Sequence, residues 1–135
     1  MDIQVGQKAT RELTVTAEMV AAYAEITGDY NPLHFDVEFT ASTRFGRLMA
    51  QGGIAVGLLH ALVAMDMPGP GTVFLRQSWV FPAPVYIGDT IHAEATVMAV
   101  YPERSRADID FAVTNGDGTE VLKGETTIYQ AAPIS

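Results

Sequence analysis

The chain has 135 residues, of which 48% are hydrophobic, and its net charge of −8 comes from 16 acidic and 8 basic side chains. This length and apolar content exclude a disordered chain and suit a single domain, which we expect to span residues 1–135. The acidic balance disfavours nucleic-acid binding, because phosphate contacts require a basic stripe.

The sequence also disfavours a membrane protein and a disulfide-stabilised protein. No apolar run reaches the roughly 18 residues that predict a membrane-spanning helix. The N-terminus has neither the basic region nor the apolar stretch of an export signal. With no cysteine there is no disulfide framework, thiolate nucleophile or thiolate metal site. These features predict a cytoplasmic protein that does not bind membranes.

The first part of the chain predicts a weak edge strand within residues 3–15 and then a helix over residues 17–27. Thr16 fits the N-cap of that helix, and Gly28 supplies the left-handed backbone that ends it. Four side chains at helical spacing are predicted to form its inward face: Val20, Tyr23, Ala24 and Thr27.

A rigid loop follows this helix. Asn31 is pushed to extended geometry because it precedes Pro32, so the helix cannot restart at once. Asp29 and His34 lie on the loop and can face one small cavity. A carboxylate and an imidazole can together hold and activate a water molecule near pH 7. The spacing alone leaves open that Asp29 and Asn-Pro only form a turn.

Residues 54–65 are apolar on every side and predict a helix buried on most faces. His60 within it is predicted to be a hydrogen-bonded core residue rather than a catalyst. A short helix capped by Asp36 is predicted before it, and the prolines and glycines of residues 68–71 end it.

The second half of the chain predicts strands. Residues 115–118, Asn-Gly-Asp-Gly, are typical of a hairpin turn. Four segments have the alternation or the β-branched and aromatic content of strands: residues 72–81, 90–100, 105–114 and 120–131. The pattern indicates an α+β domain in which an antiparallel sheet wraps around the apolar helix, the hotdog architecture.

The stretch Tyr23-Ala-Glu-Ile-Thr-Gly-Asp-Tyr-Asn-Pro-Leu-His34 resembles the signature of the MaoC-like, or hydratase 2, family of (R)-specific enoyl-CoA hydratases and dehydratases. Further similarity to the family lies in residues 45–53, 68–71 and 84–89, so the resemblance covers nearly the whole chain. It also implies the hotdog fold. That implication agrees with the strand and helix pattern.

The resemblance implies reversible hydration of a trans-2-enoyl-CoA to the (R)-3-hydroxyacyl-CoA by a homodimer, with no metal and no redox cofactor. Asp29 and His34 would be the catalytic pair, and Asn31 would orient the loop or the water. The backbone amide of Gly52, at the start of the central helix, would stabilise the enolate-like thioester oxygen, since amides there are unpaired.

Two further features concern the same site. Arg44 and Arg47 are candidates for contacts with CoA phosphates, with Arg76 next, although each could be a solvated surface arginine. Many relatives carry His-Gly where this chain has Gln51-Gly52. Because Gln51 cannot take a proton at neutral pH, the start of the central helix is expected to be supported differently here.

Three alternative functions differ in the residues or partners that they require. A hotdog thioesterase is disfavoured, because such enzymes place a carboxylate on the central helix and this helix has no acid before Asp66. A 3-hydroxyacyl-ACP dehydratase stays open, as does a non-catalytic acyl-thioester-binding subunit or inactive partner in a heterodimeric dehydratase.

Overall fold

The computed structural model describes residues 1–132, so the predicted domain is described except for residues 133–135. The order of the elements agrees with the sequence prediction. They are β1 (Lys8–Thr14), α1 (Ala17–Thr27), α2 (Val37–Ala41), α3 (Gly52–Ala61), β2 (Thr72–Val80), β3 (Thr90–Tyr101), β4 (Arg106–Thr114) and β5 (Glu120–Gln130).

The five strands form one sheet in the order β1-β3-β4-β5-β2, and every neighbouring pair is antiparallel. β1 is an edge strand, as predicted, and β2 forms the other edge. The predicted hairpin joins β4 to β5, where the side chain of Asn115 accepts hydrogen bonds from the N–H groups of Asp117 and Thr119. Buried and more exposed residues alternate along β4, so one face of the sheet covers the core. The predicted hotdog arrangement is confirmed.

α1 begins and ends at the predicted caps. The side chain of Thr16 accepts from the N–H of Met19, and Gly28 has a φ of 82°, in the left-handed region. Thr27, predicted to face inward, is instead exposed. Its hydroxyl donates to the carbonyl of Tyr23 at 2.7 Å and accepts from the N–H of Asp29 at 3.1 Å, so it shapes the loop rather than the core.

The central helix differs from its predicted bounds. It begins at Gly52, and the α-helix ends at Ala61 before a π-helical turn over Leu62–Asp66. Among residues 54–65 only Gly57 and Met65 are exposed, and the other residues are buried or half-buried, as expected for a helix buried on most faces. The buried residues of the helix and turn are Ala55, Leu59, Leu62 and Val63.

Of the helices within the described residues 1–132, none combines the length and apolar character that a membrane crossing requires.

The predicted short helix is present as α2. The side chain of Asp36 caps it by accepting from the N–H of Phe39 at 3.0 Å. The loop that carries Asp29 and His34 therefore lies between two capped helices.

Candidate active site

The loop after α1 is held by its own hydrogen bonds. Oδ1 of Asp29 accepts from the N–H of Asn31 at 3.3 Å, and Oδ1 of Asn31 accepts from the N–H of Leu33 at 3.1 Å. The N–H of His34 donates to the carbonyl of Asn31 at 2.9 Å, closing a 3-10 turn over Pro32–His34. These bonds are of the kind that a loop-orienting role for Asn31 requires.

His34 is buried, with 7% of its surface exposed. Its Nδ1 lies 2.7 Å from the carbonyl oxygen of Met49, and the N–H of Met49 donates to the carbonyl of Leu33. Because a carbonyl oxygen only accepts, Nδ1 must donate its proton. The neutral ring therefore carries its lone pair on Nε2, the nitrogen that a general base or acid would use.

Nε2 of His34 lies 3.9 Å from Oδ2 of Asp29, whose side chain is 43% exposed. This separation is too long for a direct hydrogen bond. Polar groups at such a distance are commonly bridged by water. The structure thus brings together the two residues that the sequence singled out, with one carboxylate oxygen fixing the loop and the other turned to the imidazole.

A cavity of about 410 Å³ opens beside His34. The start of α3, at Gly52, lines it, as does Arg44. The other lining residues are apolar: Phe45, Met49, Ala50, Ala55, Phe81, Pro82, Ala83, Pro84, Val85 and Val121. Asp29 and Arg47 are not among the lining residues. The cavity suits an apolar ligand that brings a polar group to His34 and Gly52.

Two neighbouring glycines allow close packing at the start of α3. A Cβ atom on Gly52 would lie 2.9 Å from the ring of Phe81, and one on Gly53 would overlap Oη of Tyr23. Larger residues at either position would force the aromatic side chains away. Sequence reasoning missed these contacts of Tyr23 and Phe81, and only the Gly-Gly pair signalled a close approach.

The three arginine candidates differ in position. Arg44 lines the cavity, and its guanidinium lies 5.0 Å from the ring centroid of Phe45. Arg47 instead stacks 4.0 Å over the ring of Tyr86. Arg76 lies in a separate groove beside the acidic side chains of β4 and β5. Of these three arginines, only Arg44 is therefore positioned to contact a ligand in this cavity.

Two polar groups of the central helix and its extension have partners elsewhere. Nε2 of His60 lies 2.6 Å from Oε1 of Gln77, which confirms the predicted hydrogen bond, whereas the predicted core position is wrong because His60 is only half-buried. Asp66 accepts two hydrogen bonds from Arg11, at 2.6 and 3.1 Å, which hold the pKa of its carboxyl below the usual range. Asp66 is not a cavity-lining residue, so it does not supply the central-helix carboxylate that a thioesterase would use.

The fold and site together define a hotdog protein with an imidazole and a carboxylate beside the N-terminus of its central helix. Residues 2–120 match the family model described as MaoC like domain. The chain belongs to this MaoC-like family.

Individual relatives cover most of the chain. A 3-hydroxybutyryl-CoA dehydratase of Methylorubrum extorquens is 38% identical over 94% of this chain and 80% of its own. An (R)-specific enoyl-CoA hydratase of Aeromonas caviae is 34% identical over 93% of this chain and 94% of its own. Among solved structures, an (R)-hydratase from A. caviae involved in PHA biosynthesis has a TM-score of 0.92 and 33% identity, covering 96% of this chain and 98% of that one.

Proposed function

We propose that this protein catalyses the reversible addition of water to a trans-2-enoyl-CoA, giving the (R)-3-hydroxyacyl-CoA. The observation that carries the proposal is Nε2 of His34 at 3.9 Å from Oδ2 of Asp29, beside a cavity that Gly52 also lines. The names of the relatives in M. extorquens and A. caviae support the reaction class.

In the proposed mechanism one water molecule is held between Oδ2 of Asp29 and Nε2 of His34. As the water oxygen bonds to C3 of the enoyl group, the pair takes one of its protons. The C2=C3 double bond gives its electrons to the thioester carbonyl, and C2 then receives a proton from the pair on the same face.

The negative charge that develops on the thioester oxygen requires a donor. In our proposal this donor is the backbone N–H of Gly52, the first residue of α3. Amides in the first turn of a helix have no intrahelical partner, and the helix dipole favours an anion there. A positioned donor of this kind contributes most when charge develops, which is the step to be accelerated.

The cavity supports an acyl thioester as substrate. Its apolar lining would hold the acyl chain, and Arg44 is the cation placed to attract the CoA phosphates against the net charge of −8. The proposed chemistry draws on side chains and amides of the chain itself and uses no cofactor. We therefore expect activity to persist after dialysis against a chelator.

We also propose a homodimer, as the resemblance implies, and keep the prediction of a cytoplasmic location. β2 is a sheet edge and carries exposed apolar residues: Val73, Leu75, Val80 and, directly after it, Phe81. Unprotected apolar edges favour pairing with another strand. Because Phe81 also lines the cavity, pairing there would bring the site close to the subunit interface.

The test is hydration of crotonyl-CoA, followed by loss of the ultraviolet absorbance of the conjugated thioester and by chiral analysis of the product. We expect rapid loss that yields the (R)-alcohol. Formation of the (S)-alcohol, or release of free CoA by hydrolysis, would contradict the proposal. Loss with an acyl-carrier-protein thioester but not with the CoA thioester would assign the protein to the carrier-dependent dehydratases instead.

A further inference from the structure

Gln51 occupies the N-cap of α3 but does not cap it. At this position a side-chain oxygen ordinarily accepts from the second or third amide of the helix. The side chain of Gln51 is turned instead to α1, where its Nε2 lies 3.0 Å from the carbonyl oxygen of Val20. Because that carbonyl only accepts, the orientation of the side-chain amide is fixed.

The diverted side chain leaves the start of α3 open. The N–H of Ile54 donates to the carbonyl of Gln51 at 3.1 Å, while no hydrogen bond among residues 1–132 engages the N–H of Gly52 or Gly53. Gly52 lines the cavity beside His34. The open amide of Gly52 is therefore located where the proposed reaction develops negative charge.

If the stability of the fold alone mattered, this orientation of the Gln51 side chain would be unfavourable. Gln51 is only 3% exposed, and its Oε1 is buried without a hydrogen-bond partner among the described residues. A buried acceptor without a partner destabilises the folded state, whereas a shorter capping residue would satisfy an amide at the same position. A residue selected only to stabilise the helix would be Ser, Thr, Asp or Asn.

We propose that Gln51 is a positioning residue that ties the start of α3 to α1 and leaves the first turn of α3 without a side-chain cap, so that the thioester oxygen of the substrate can approach the amide of Gly52. This inference rests on the proposed function. A second contact of α1 supports it: Tyr23, one turn after Val20, places its Oη against Gly53. α1 thus holds the first turn of α3 at two points.

Two variants separate this role from simple packing. In Gln51→Asn the shorter side chain cannot reach Val20 but can cap the helix. In Gln51→Met the side chain keeps its approximate volume and can neither tether nor cap. The control is Gln130→Met, because Gln130 also donates to a backbone carbonyl, that of Pro70 at 3.4 Å, and lies outside the cavity.

For Gln51→Asn we expect stability and turnover to change in opposite directions. Gln51→Asn should raise the Tm by about 2–5 °C and lower kcat for crotonyl-CoA roughly 10- to 100-fold, with a smaller change in KM. Gln51→Met should lower kcat similarly while the Tm changes little, since the lost bond to Val20 is offset by removal of the buried oxygen. Gln130→Met should match the unsubstituted protein in kcat.

Infrared spectroscopy can detect the proposed hydrogen bond from Gly52 to the thioester oxygen without turnover. Butyryl-CoA is saturated and cannot be hydrated, and a hydrogen bond from Gly52 lowers the infrared stretching frequency of its thioester carbonyl. We expect this red shift in the unsubstituted protein and its loss in Gln51→Asn. An unchanged band or an unchanged kcat in Gln51→Asn, or a Tm and kcat that fall together in both variants, would overturn the inference.

The measurements distinguish a failure of the proposed function from a failure of the role proposed for Gln51. If the unsubstituted protein did not hydrate crotonyl-CoA, the reaction would be wrong, but the Tm of Gln51→Asn would still test whether Gln51 leaves α3 uncapped. A Tm at or below that of the unsubstituted protein would contradict the positioning role in either case.

Discussion

The two ends of the central helix have opposite character. At its beginning, two glycine amides are uncapped, Oε1 of Gln51 is buried without a partner among the described residues, and a cavity is adjacent. At the other end, Leu62 and Val63 are fully buried. There Asp66 is held by two hydrogen bonds from Arg11.

This difference separates stability from function within one helix. The end at residues 62–66, which we call the stable end, buries apolar surface and pairs its charge, so it stabilises the fold. The end at residues 51–53, which we call the open end, leaves polar groups unpaired and thereby lowers stability. Unpaired polar groups of this kind are the usual mark of a site that binds a polar atom. Substitutions at the two ends should therefore change different quantities.

The largest expected effect is at the stable end. Leu62→Ala should lower the free energy of unfolding by about 2–5 kcal/mol, because the removed side chain leaves a cavity in the core. Its kcat, measured well below the Tm, should stay near that of the unsubstituted protein. Ile26→Ala, in a side chain that is 83% exposed, is the control and should change the free energy by less than about 0.5 kcal/mol. If the kcat of Leu62→Ala fell as far as that of an active-site variant, the distinction between the two ends of the helix would be wrong.

A smaller effect is expected from a methyl group at the open end. In Gly53→Ala the new Cβ would overlap Oη of Tyr23, so the helix start or the ring must move. We expect a loss of about 1–3 kcal/mol in the free energy of unfolding, together with a lower kcat.

The matched control is the same substitution further along the helix. Gly57 lies in the helix interior, and a methyl group added to it would meet no heavy atom within 4 Å. Gly57→Ala should therefore stabilise the protein by about 0.5–1 kcal/mol and leave kcat unchanged. Equal effects of the two substitutions, measured by chemical denaturation, would refute the close contact with Tyr23.

The arginines provide a weaker test of the open end. Arg44→Ala should raise the KM for crotonyl-CoA several-fold and alter kcat little, because Arg44 lines the cavity and a charge that only attracts phosphates acts on binding. Arg47→Ala should change KM less, since Arg47 stacks on Tyr86 outside the lining. The ordering is checked by steady-state kinetics at low ionic strength, and a larger effect of Arg47→Ala would reverse the assignment.

The smallest effect concerns pH at the stable end. Hydrogen bonds from Arg11 lower the pKa of Asp66 in the folded state. The pair therefore stabilises the protein above the unfolded pKa of Asp66, and this contribution is lost as the pH falls through the lowered folded value. Arg11→Met should reduce the Tm slightly at neutral pH, by the small amount typical of exposed pairs, and not in acid. A Tm difference that grew as the pH fell would contradict the pairing.

Local sequence signals predict most of the fold. Thr16, Gly28 and Asp36 are identifiable as caps from the backbone geometry that each residue type favours, and the structure places each at its helix end. Alternation predicts the strands because one face of the sheet is buried. The inward position predicted for Thr27 is wrong because a threonine hydroxyl can bond the preceding turn, here Tyr23, and leave the apolar face.

Contacts between distant segments are harder to predict. The bond from Gln51 to Val20 joins residues far apart in the chain, and no local spacing encodes it. The same holds for the stacking of Arg47 on Tyr86, which removes one phosphate candidate from the cavity lining. The proximity of Asp29 and His34 is predictable because both lie on one short loop with fixed turn chemistry.

The most direct test of the account is the kcat of Asp29→Asn with crotonyl-CoA, measured beside His34→Ala on folded protein. Removal of a positioned acid or base should lower kcat at least ~100-fold in each variant. The Tm should change little in Asp29→Asn and fall in His34→Ala, which loses the buried hydrogen bond to Met49. Asp110→Asn and His92→Ala make the same changes at sites outside the cavity and should retain full activity. Near-normal turnover by folded Asp29→Asn or His34→Ala would contradict the assignment of this pair.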